Sequence, residues 1–167
     1  MKKQKTIIMM GLFIALSIIG GYIKIPNPVT SSIAFDSLPA FLASLVLGGL
    51  PGAAVAFLGH MLSAALGGFP MSLPIHLVVA VEMGIIMVVF SFIANKINLI
   101  VAIIAGIILN GIVSPVILIF IPNLGLPVFL ASLLPLMAAS IFNVILAAVV
   151  FSSIKNVGFV KEIQEAK

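Results

Sequence analysis

Five ionisable side chains of the types that hold polar ligands lie in one stretch of the sequence. They are Lys24, Asp36, His60, His76 and Glu82. Around them, 63% of the residues are hydrophobic and 7% are charged. An ionisable group at the depth of a bilayer is costly unless it is paired, hydrated or facing a cavity, so it marks a functional site by default. The stretch therefore predicts a small-molecule pocket inside a membrane protein.

The composition places the whole chain in a membrane. A mean hydropathy of +1.42 excludes a soluble domain. A spanning helix needs about 20 residues, so a chain of 167 residues has room for about six spans. No Gly-x-x-x-x-Gly-Lys-Ser/Thr stretch is present, so active transport would draw on an ion gradient or on partner subunits. The absence of Cys excludes disulfides and thiolate metal sites.

Clusters of Pro, Gly and Asn divide the chain into apolar runs. We predict a single all-α integral membrane domain over residues 1–167, with six transmembrane helices at about 6–23, 33–47, 53–66, 75–94, 99–121 and 128–154, and a polar tail. The second and third runs are marginal in length. Short segments interrupted by Gly and Pro point to a binding region, although tilted helices in a locally thin bilayer are the alternative.

The lysines predict the orientation of these helices. All eight basic residues are Lys, and with six spans seven of them fall on one side, namely Lys2, Lys3, Lys5, Lys96, Lys155, Lys161 and Lys167. Lys24 alone falls on the other side. The positive-inside rule then puts both termini in the cytoplasm, with the Pro-rich connections outside. The same asymmetry explains the basic pI without nucleic-acid binding.

Among the polar side chains, Glu82 is the strongest candidate ligand. It lies about two turns into the fourth helix, where a carboxylate must find a partner or a polar ligand. Asp36 opens the second helix, where the helix dipole alone also favours a carboxylate. His60 in the third helix and His76 at the start of the fourth can serve either hydrogen-bonded structure or ligand binding.

Amide and aromatic groups complete the predicted site. Asn110 and Asn143 lie deep in the fifth and sixth helices, and Phe35, Phe41, Phe69, Phe120 and Phe129 lie near the outer connections, where rings can stack on a heterocycle or simply face lipid. We predict a substrate site in the outer half of the bundle, formed by Asp36, His60, Phe69, His76, Glu82, Asn110 and Asn143, with the connection at 67–74 as a lid.

Metal and enzyme chemistry find less support in the sequence. His60, His76, Asp36 and Glu82 are metal-ligand types, but no tight spacing such as His-Glu-x-x-His is present. No Ser stands in a Gly-x-Ser-x-Gly context. We expect no metal site, no cofactor and no enzyme activity.

Several stretches together resemble the substrate-binding S component of energy-coupling factor (ECF) transporters, and the resemblance covers nearly the whole chain. They include Ile25-Pro-Asn-Pro, Phe35-Asp-Ser-Leu-Pro-Ala-Phe, Leu47-Gly-Gly-Leu-Pro-Gly-Ala, Gly59-His-Met-Leu-Ser-Ala and Gly68-Phe-Pro-Met-Ser-Leu-Pro-Ile-His, continuing to Glu82-Met-Gly. Six helices, cytoplasmic termini and Pro-rich outer connections agree with it. A small-x-x-x-small pair, Gly11 and Ala15, also agrees, since such pairs let helices approach closely in lipid.

The resemblance implies a subunit of the bacterial plasma membrane that captures a vitamin or its precursor from outside. It would work with a membrane coupling subunit and two cytoplasmic ATPase subunits. Gly11-x-x-x-Ala15 stands where the family has an Ala-x-x-x-Ala pair that meets the coupling subunit. The Phe-Asp-Ser-Leu-Pro and Gly-His-Met-Leu-Ser-Ala stretches look most similar to S components assigned to α-ribazole, the nucleoside precursor of cobalamin's lower ligand.

Two other functions stay open at this point. One is a stand-alone proton-coupled carrier that uses Glu82 or Asp36 as a proton site. The other is a cobalt or nickel uptake subunit, which would retain metal on purification. A requirement for ATPase partners and ATP in uptake separates the S component from the stand-alone carrier.

Overall fold

A computed structural model of the chain describes residues 2–27, 31–122 and 124–164. Its helices are α1 (Lys2–Tyr22), α2 (Ser37–Leu47), α3 (Gly49–Leu66), α4 (Leu73–Lys96), α5 (Leu99–Ile108), α6 (Ser114–Val116), α7 (Gly125–Ile154) and α8 (Gly158–Gln164). Two strands, β1 (Lys24–Asn27) and β2 (Ser31–Ala34), connect α1 to α2. Lys167, which the prediction of orientation includes, and part of the Pro-rich connection at 24–32 lie outside the described residues.

Five segments of the described chain are long and apolar enough to cross a membrane. They are Lys3–Tyr22, Gly49–Leu66, Leu73–Lys96, Leu99–Phe120 and Gly125–Ile154. The chain is therefore a multi-pass membrane protein with a helical fold, as predicted. The remaining apolar helix, α2, has 11 residues. At 1.5 Å per residue it is about 17 Å long, roughly half the hydrocarbon thickness of a bilayer.

Helix α2 is the centre of the bundle. Each of its residues except Leu38 is buried, and it contacts α1, α3, α4 and α7. A helix that is apolar on all sides belongs in an interior, and the sequence of α2 has this character. Phe41 of α2 meets Phe90 of α4 edge to face, with ring centroids 4.9 Å apart.

The connection before α2 differs from the predicted loop. Strands β1 and β2 form an antiparallel pair in which Lys24 aligns with Ala34 and Asn27 with Ser31. Helix α2 consequently begins at Ser37 rather than near position 33. Pro26 has no backbone N–H and disfavours a helix, whereas β-branched residues such as Ile25 and Ile33 favour extended backbone.

A single glycine separates α2 from α3. Gly48 has φ +104°, a conformation that side chains of L residues rarely adopt, so the chain reverses there without a loop. Helix α3 then begins at Gly49, earlier than the predicted start at 53. Pro disfavours the interior of a helix. Pro51, however, lies in the first turn of α3, where its missing N–H costs no hydrogen bond.

The fifth predicted helix is interrupted near its middle. A π-helical turn covers Leu109–Val113, and the backbone N–H of Ser114 donates to the carbonyl of Leu109. Pro115 follows and cannot donate a backbone hydrogen bond. A π turn adds a residue to the helix and is often found at functional sites. Here it accompanies contacts from Asn110 to α7 and from Ser114 to α4.

The two terminal segments meet at one end of the bundle. Lys5 Nζ of α1 lies 2.7 Å from Glu162 Oε2 of α8, and the amide of Gln164 donates to the carbonyl of Leu45 at 3.4 Å. Hydrogen bonding and charge from Lys5 lower the pKa of the exposed Glu162 carboxyl. The sequence predicted a polar tail here, whereas α8 folds back and buries Val160 in the core.

Close packing of α3 on α2 gives a stability prediction. A Cβ added to Gly52 would lie 2.7 Å from the Cα of Ser44, too close for any side chain to relieve. Overpacking of this kind costs about 1–3 kcal/mol, so Gly52→Ala should lower the melting temperature of the protein in detergent. Gly84→Ala is the matched control at a buried position of α4, because its Cβ would meet only Ala53 atoms at 3.6 and 3.8 Å. Equal melting temperatures would contradict the packing described.

Candidate binding cavity

A cavity of about 190 Å³ lies near the end of the bundle opposite the Lys5–Glu162 pair. Its wall comes from the start of α2, the second half of α3, the connection to α4, the first half of α4, the interrupted fifth segment and α7. The polar side chains in that wall are Asp36, Ser37, His60, Ser63, His76, Asn110, Ser114, Ser140 and Asn143. A mostly apolar hollow with a few convergent polar groups is the usual form of a small-molecule site.

Three of the predicted residues form a linear chain of side chains. His60 Nδ1 lies 3.2 Å from Asp36 Oδ2, and His60 Nε2 lies 3.1 Å from His76 Nδ1. Asp36 precedes α2, His60 is in α3 and His76 is in the first turn of α4, so the chain links three helices. The side chains of His60 and Asp36 are 15% and 12% exposed, which keeps this polar chain largely away from solvent.

Each of the two predicted asparagines donates a hydrogen bond to a serine of a neighbouring helix. Asn110 Nδ2 donates to Ser140 Oγ at 2.7 Å, and Asn143 Nδ2 donates to Ser37 Oγ at the same distance. Both pairs join residues that line the cavity. Asn143 is 1% exposed, so its amide is fully inside the bundle.

Two buried polar atoms of cavity-lining residues have no hydrogen-bond partner among the described residues. They are His76 Nε2 and Asn143 Oδ1. A buried polar group without a partner costs about 1–3 kcal/mol, and most such groups in proteins are satisfied. Neither atom is accessible to a water-sized group in the cavity, so both stay unpaired in the described structure.

Glu82, which the sequence predicts as a ligand, lies outside the described cavity wall. It is not among the described residues that line the cavity. Its carboxylate instead accepts a hydrogen bond from Ser114 Oγ at 3.0 Å, and it is Ser114 that lines the cavity. His76 and Glu82 are six positions apart, so their side chains point to different faces of α4. Glu82 therefore contacts a lining residue, Ser114, without lining the cavity itself.

The aromatic side chains also lie outside the cavity wall. None of the described lining residues is Phe. Phe69 touches the wall indirectly, with its ring centroid 5.7 Å from that of His76, while Phe35 and Phe41 pair with other phenylalanines. Methionine and aliphatic side chains form the apolar wall instead, including Met71, Ile75, Val79 and Met83.

Several residues that line the cavity were not predicted from the sequence. Ser37, Ser63, Ser114 and Ser140 carry hydroxyl groups into the wall. Serine is common in membrane helices, where it packs well and bonds to the backbone, so its presence singles out no position. The Ser114-Pro115 step was the one available signal, because Pro within an apolar run marks a break in a helix.

The connection between α3 and α4 has unusual backbone geometry. Gly68, Phe69 and Ser72 have φ values of +75°, +50° and +92°. Positive φ is uncommon for residues other than Gly and is stored at sites where the surroundings enforce it. Gly67, Pro70 and Met71 from the same connection line the cavity, so this strained segment forms part of the wall.

The cavity does not have the arrangement of a metal site. Among the described residues, no group of three or more His, Cys, Asp or Glu side chains surrounds one point that could hold a metal ion. The nitrogens of His60 and His76 face each other at 3.1 Å, a hydrogen-bond geometry in which the two rings do not share an external ion.

Gly11 and Ala15 lie on an exposed face of α1. A Cβ added to Gly11 meets no atom within 4 Å, and Ala15 is also exposed. The face continues with exposed apolar residues, among them Ile7, Ile8, Leu12, Leu16 and Ile19. The pair therefore does not serve packing within the described part of the chain.

Comparison with known proteins identifies a family. The family described as "ECF transporter, substrate-specific component" matches residues 5–155. The chain belongs to this family. No curated protein and no solved structure matches it. Membership confirms the resemblance at the level of the family, which is a transporter family rather than an enzyme family, and implies association with ECF membrane and ATPase subunits and with a small-molecule substrate.

Proposed function

We propose that this S component captures a small vitamin precursor in the cavity between α2, α3, α4 and α7, and that α-ribazole is its substrate. The observation that carries the proposal is the convergence of polar side chains from several helices, among them Asp36, His60, His76 and Asn143, on one cavity inside an apolar bundle. A mostly apolar cavity with a few convergent polar groups is the usual form of a site for a small polar ligand.

The chemistry of the wall suits a nucleoside with an apolar base. Asp36 and the serines of the wall carry oxygens that can pair with ribose hydroxyls, whereas both ring nitrogens of His60 already contact Asp36 and His76. Because phenylalanine is absent from the described wall, we propose that Met71 and Met83 contact the flat ring of the base. The thioether of Met is polarizable and packs favourably against aromatic rings.

We also propose that both termini lie in the cytoplasm of a bacterial plasma membrane, so that the cavity opens near the outer face. The Lys5–Glu162 pair and the bond from Gln164 to Leu45 place both terminal segments at one end. Ser91 Oγ donates to the carbonyl of Ser44, which brings the last turns of α4, and with them Lys96, toward the same end. Positive charge gathered at one end agrees with the positive-inside rule. In this orientation α2 counts as the sixth, incomplete span.

Blocking the cavity should abolish substrate binding. Ala139 lines the cavity and is 4% exposed, so Ala139→Leu would place three further carbons in a space of about 190 Å³. We expect the affinity for α-ribazole, measured by isothermal titration in detergent, to fall at least about tenfold, or about 1.4 kcal/mol. Ala138→Leu is the matched control, because Ala138 is adjacent to Ala139 in the same helix and is exposed.

Two outcomes of this titration argue against the proposal in different ways. Equal affinities in both variants would place the site outside the cavity. A wild-type protein that does not bind α-ribazole would contradict the substrate, and mass spectrometry of the small molecule that co-purifies with the protein would then identify the true one.

Glu82 should act on binding through Ser114 rather than by direct contact. Glu82→Gln keeps an oxygen that can accept the Ser114 hydrogen bond, so we expect its affinity for α-ribazole to stay within about threefold of wild type. Glu82→Leu removes the acceptor and frees the Ser114 hydroxyl in the cavity wall, and we expect a loss of about tenfold. A loss in Glu82→Gln as large as that in Glu82→Leu would show that the carboxylate charge itself binds substrate.

We propose that the exposed face of α1 around Gly11 and Ala15 docks on the membrane coupling subunit. Small side chains let two helices approach closely in lipid, where packing drives association. Gly11→Leu combined with Ala15→Leu should therefore abolish ATP-dependent uptake by the full complex in proteoliposomes. Substrate binding to the isolated chain should be unchanged, since neither residue lines the cavity.

Ala138→Leu serves as the control for this experiment too, because it adds the same group to an exposed position of another helix. Equal loss of binding and uptake in the α1 variant would mean that the pair supports the fold. Uptake by the isolated chain without ATPase partners would favour the stand-alone carrier.

A further inference from the structure

The hydrogen bond between His60 and His76 depends on how many protons the two rings carry. It joins His60 Nε2 to His76 Nδ1 over 3.1 Å, so it needs one hydrogen between the two nitrogens. A neutral imidazole has one N–H and one acceptor nitrogen, whereas a cationic imidazole has two N–H groups and no acceptor. The bond therefore forms with both rings neutral or with one ring cationic. With both rings cationic, two N–H groups face each other and the bond is lost.

Charge repulsion acts in the same direction as the loss of this bond. The ring centroids of His60 and His76 are 5.2 Å apart, and two positive charges at that separation repel each other more strongly inside a protein than in water. Asp36, whose Oδ2 lies 3.2 Å from His60 Nδ1, offsets one positive charge but not two.

Among the described residues, no other titratable side chain lines the cavity. The polar side chains that the fifth segment and α7 contribute are amides and hydroxyls, which keep the same charge over the range in which histidine titrates. Helix α1 packs on α3 through serine and glycine residues, and Glu82 of α4 accepts its hydrogen bond from Ser114. The charge of this part of the wall is therefore set by Asp36, His60 and His76.

The bond between the two histidines ties the start of α4 to α3 across the connection between these helices. Phe69 of that connection has its ring centroid 5.7 Å from that of His76, and both Phe69 and Ser72 have positive φ angles. Such angles persist only where the surroundings enforce them. The bond from His60 to His76 is a restraint of this kind, because it fixes α4 relative to α3. Its loss should free the connection, whose Met71 lines the cavity.

We propose that His60 and His76 form an acid-sensitive latch on the cavity. The latch is closed while the two rings hold at most one added proton, and uptake of a second proton opens it and frees the connection at 67–72. Because the closed state excludes the second proton, acid favours the open state and lowers the affinity for substrate. The opening concerns the protein alone, whereas its effect on affinity rests on the proposed function.

Hydrogen exchange of the full chain in detergent, without substrate, measures the opening. After correction for the intrinsic pH dependence of exchange, the backbone amides of 67–76 should exchange at least about threefold faster at about pH 5 than at about pH 7.5, a range that brackets the ordinary histidine pKa of about 6.5. The chain reversal at 44–52, which has no titratable side chain, should show no such change. An unchanged corrected rate at 67–76 would overturn the latch.

His60→Gln is the matched variant, because glutamine keeps a hydrogen-bonding side chain at this position and takes up no proton. The faster exchange of 67–76 in acid should be absent from this variant. Its persistence would contradict the role of His60.

The wild-type chain offers a measurement that needs no variant, because the chain has two histidines. In a nitrogen-15 NMR titration of the histidine-labelled protein, the pair should take up its two protons in two separate steps, since each ring senses the charge of the other. Two rings that titrate independently at the same pH would contradict the coupling on which the latch depends.

Substrate affinity supplies a readout at the cavity itself. In isothermal titrations with α-ribazole, the fall in affinity from about pH 7.5 to about pH 5 should be at least about fivefold larger for the wild type than for His60→Gln. Comparison of the two proteins cancels any protonation of the ligand. Equal falls would contradict the control of binding by the latch. If α-ribazole binds neither protein, the proposed substrate fails, while hydrogen exchange still decides the latch.

Discussion

The burial of α2 is the constraint on which the rest of the structure depends. This helix is too short to cross a bilayer, and it is enclosed by its neighbours nearly all round. Enclosure at this density requires close backbone approach, which Gly52 of α3 allows, and an abrupt reversal, which Gly48 allows. Asp36 and Ser37, where α2 begins, line the cavity together with residues of α3, α4 and α7.

Polar atoms inside this bundle are arranged in pairs that cross between helices. Asn110 with Ser140, Asn143 with Ser37 and Glu82 with Ser114 each satisfy a group that lipid could not. In a low-dielectric interior a satisfied pair fixes the positions of its helices, and an unsatisfied group is costly. Two atoms of cavity-lining residues, His76 Nε2 and Asn143 Oδ1, have no partner in the described chain.

The sequence was a good guide where hydrophobic periodicity and residue type decide the outcome. Helical spans, the family and the gathering of Asp36, His60 and His76 all depend on such signals. Other features depend on tertiary context. The extended pair before α2, the early start of α3 through Pro51 and the π turn at Leu109–Val113 each reflect neighbours that a local pattern does not contain. Glu82 was predicted as a ligand because a carboxylate in an apolar helix needs a polar partner, and in the structure Ser114 donates a hydrogen bond to it.

An experimental structure of the chain with the small molecule that co-purifies with it would show most directly whether substrate occupies the cavity. We predict that this molecule lies between α2, α3, α4 and α7, in contact with the side chains that line the cavity. A molecule bound elsewhere on the protein would contradict this prediction.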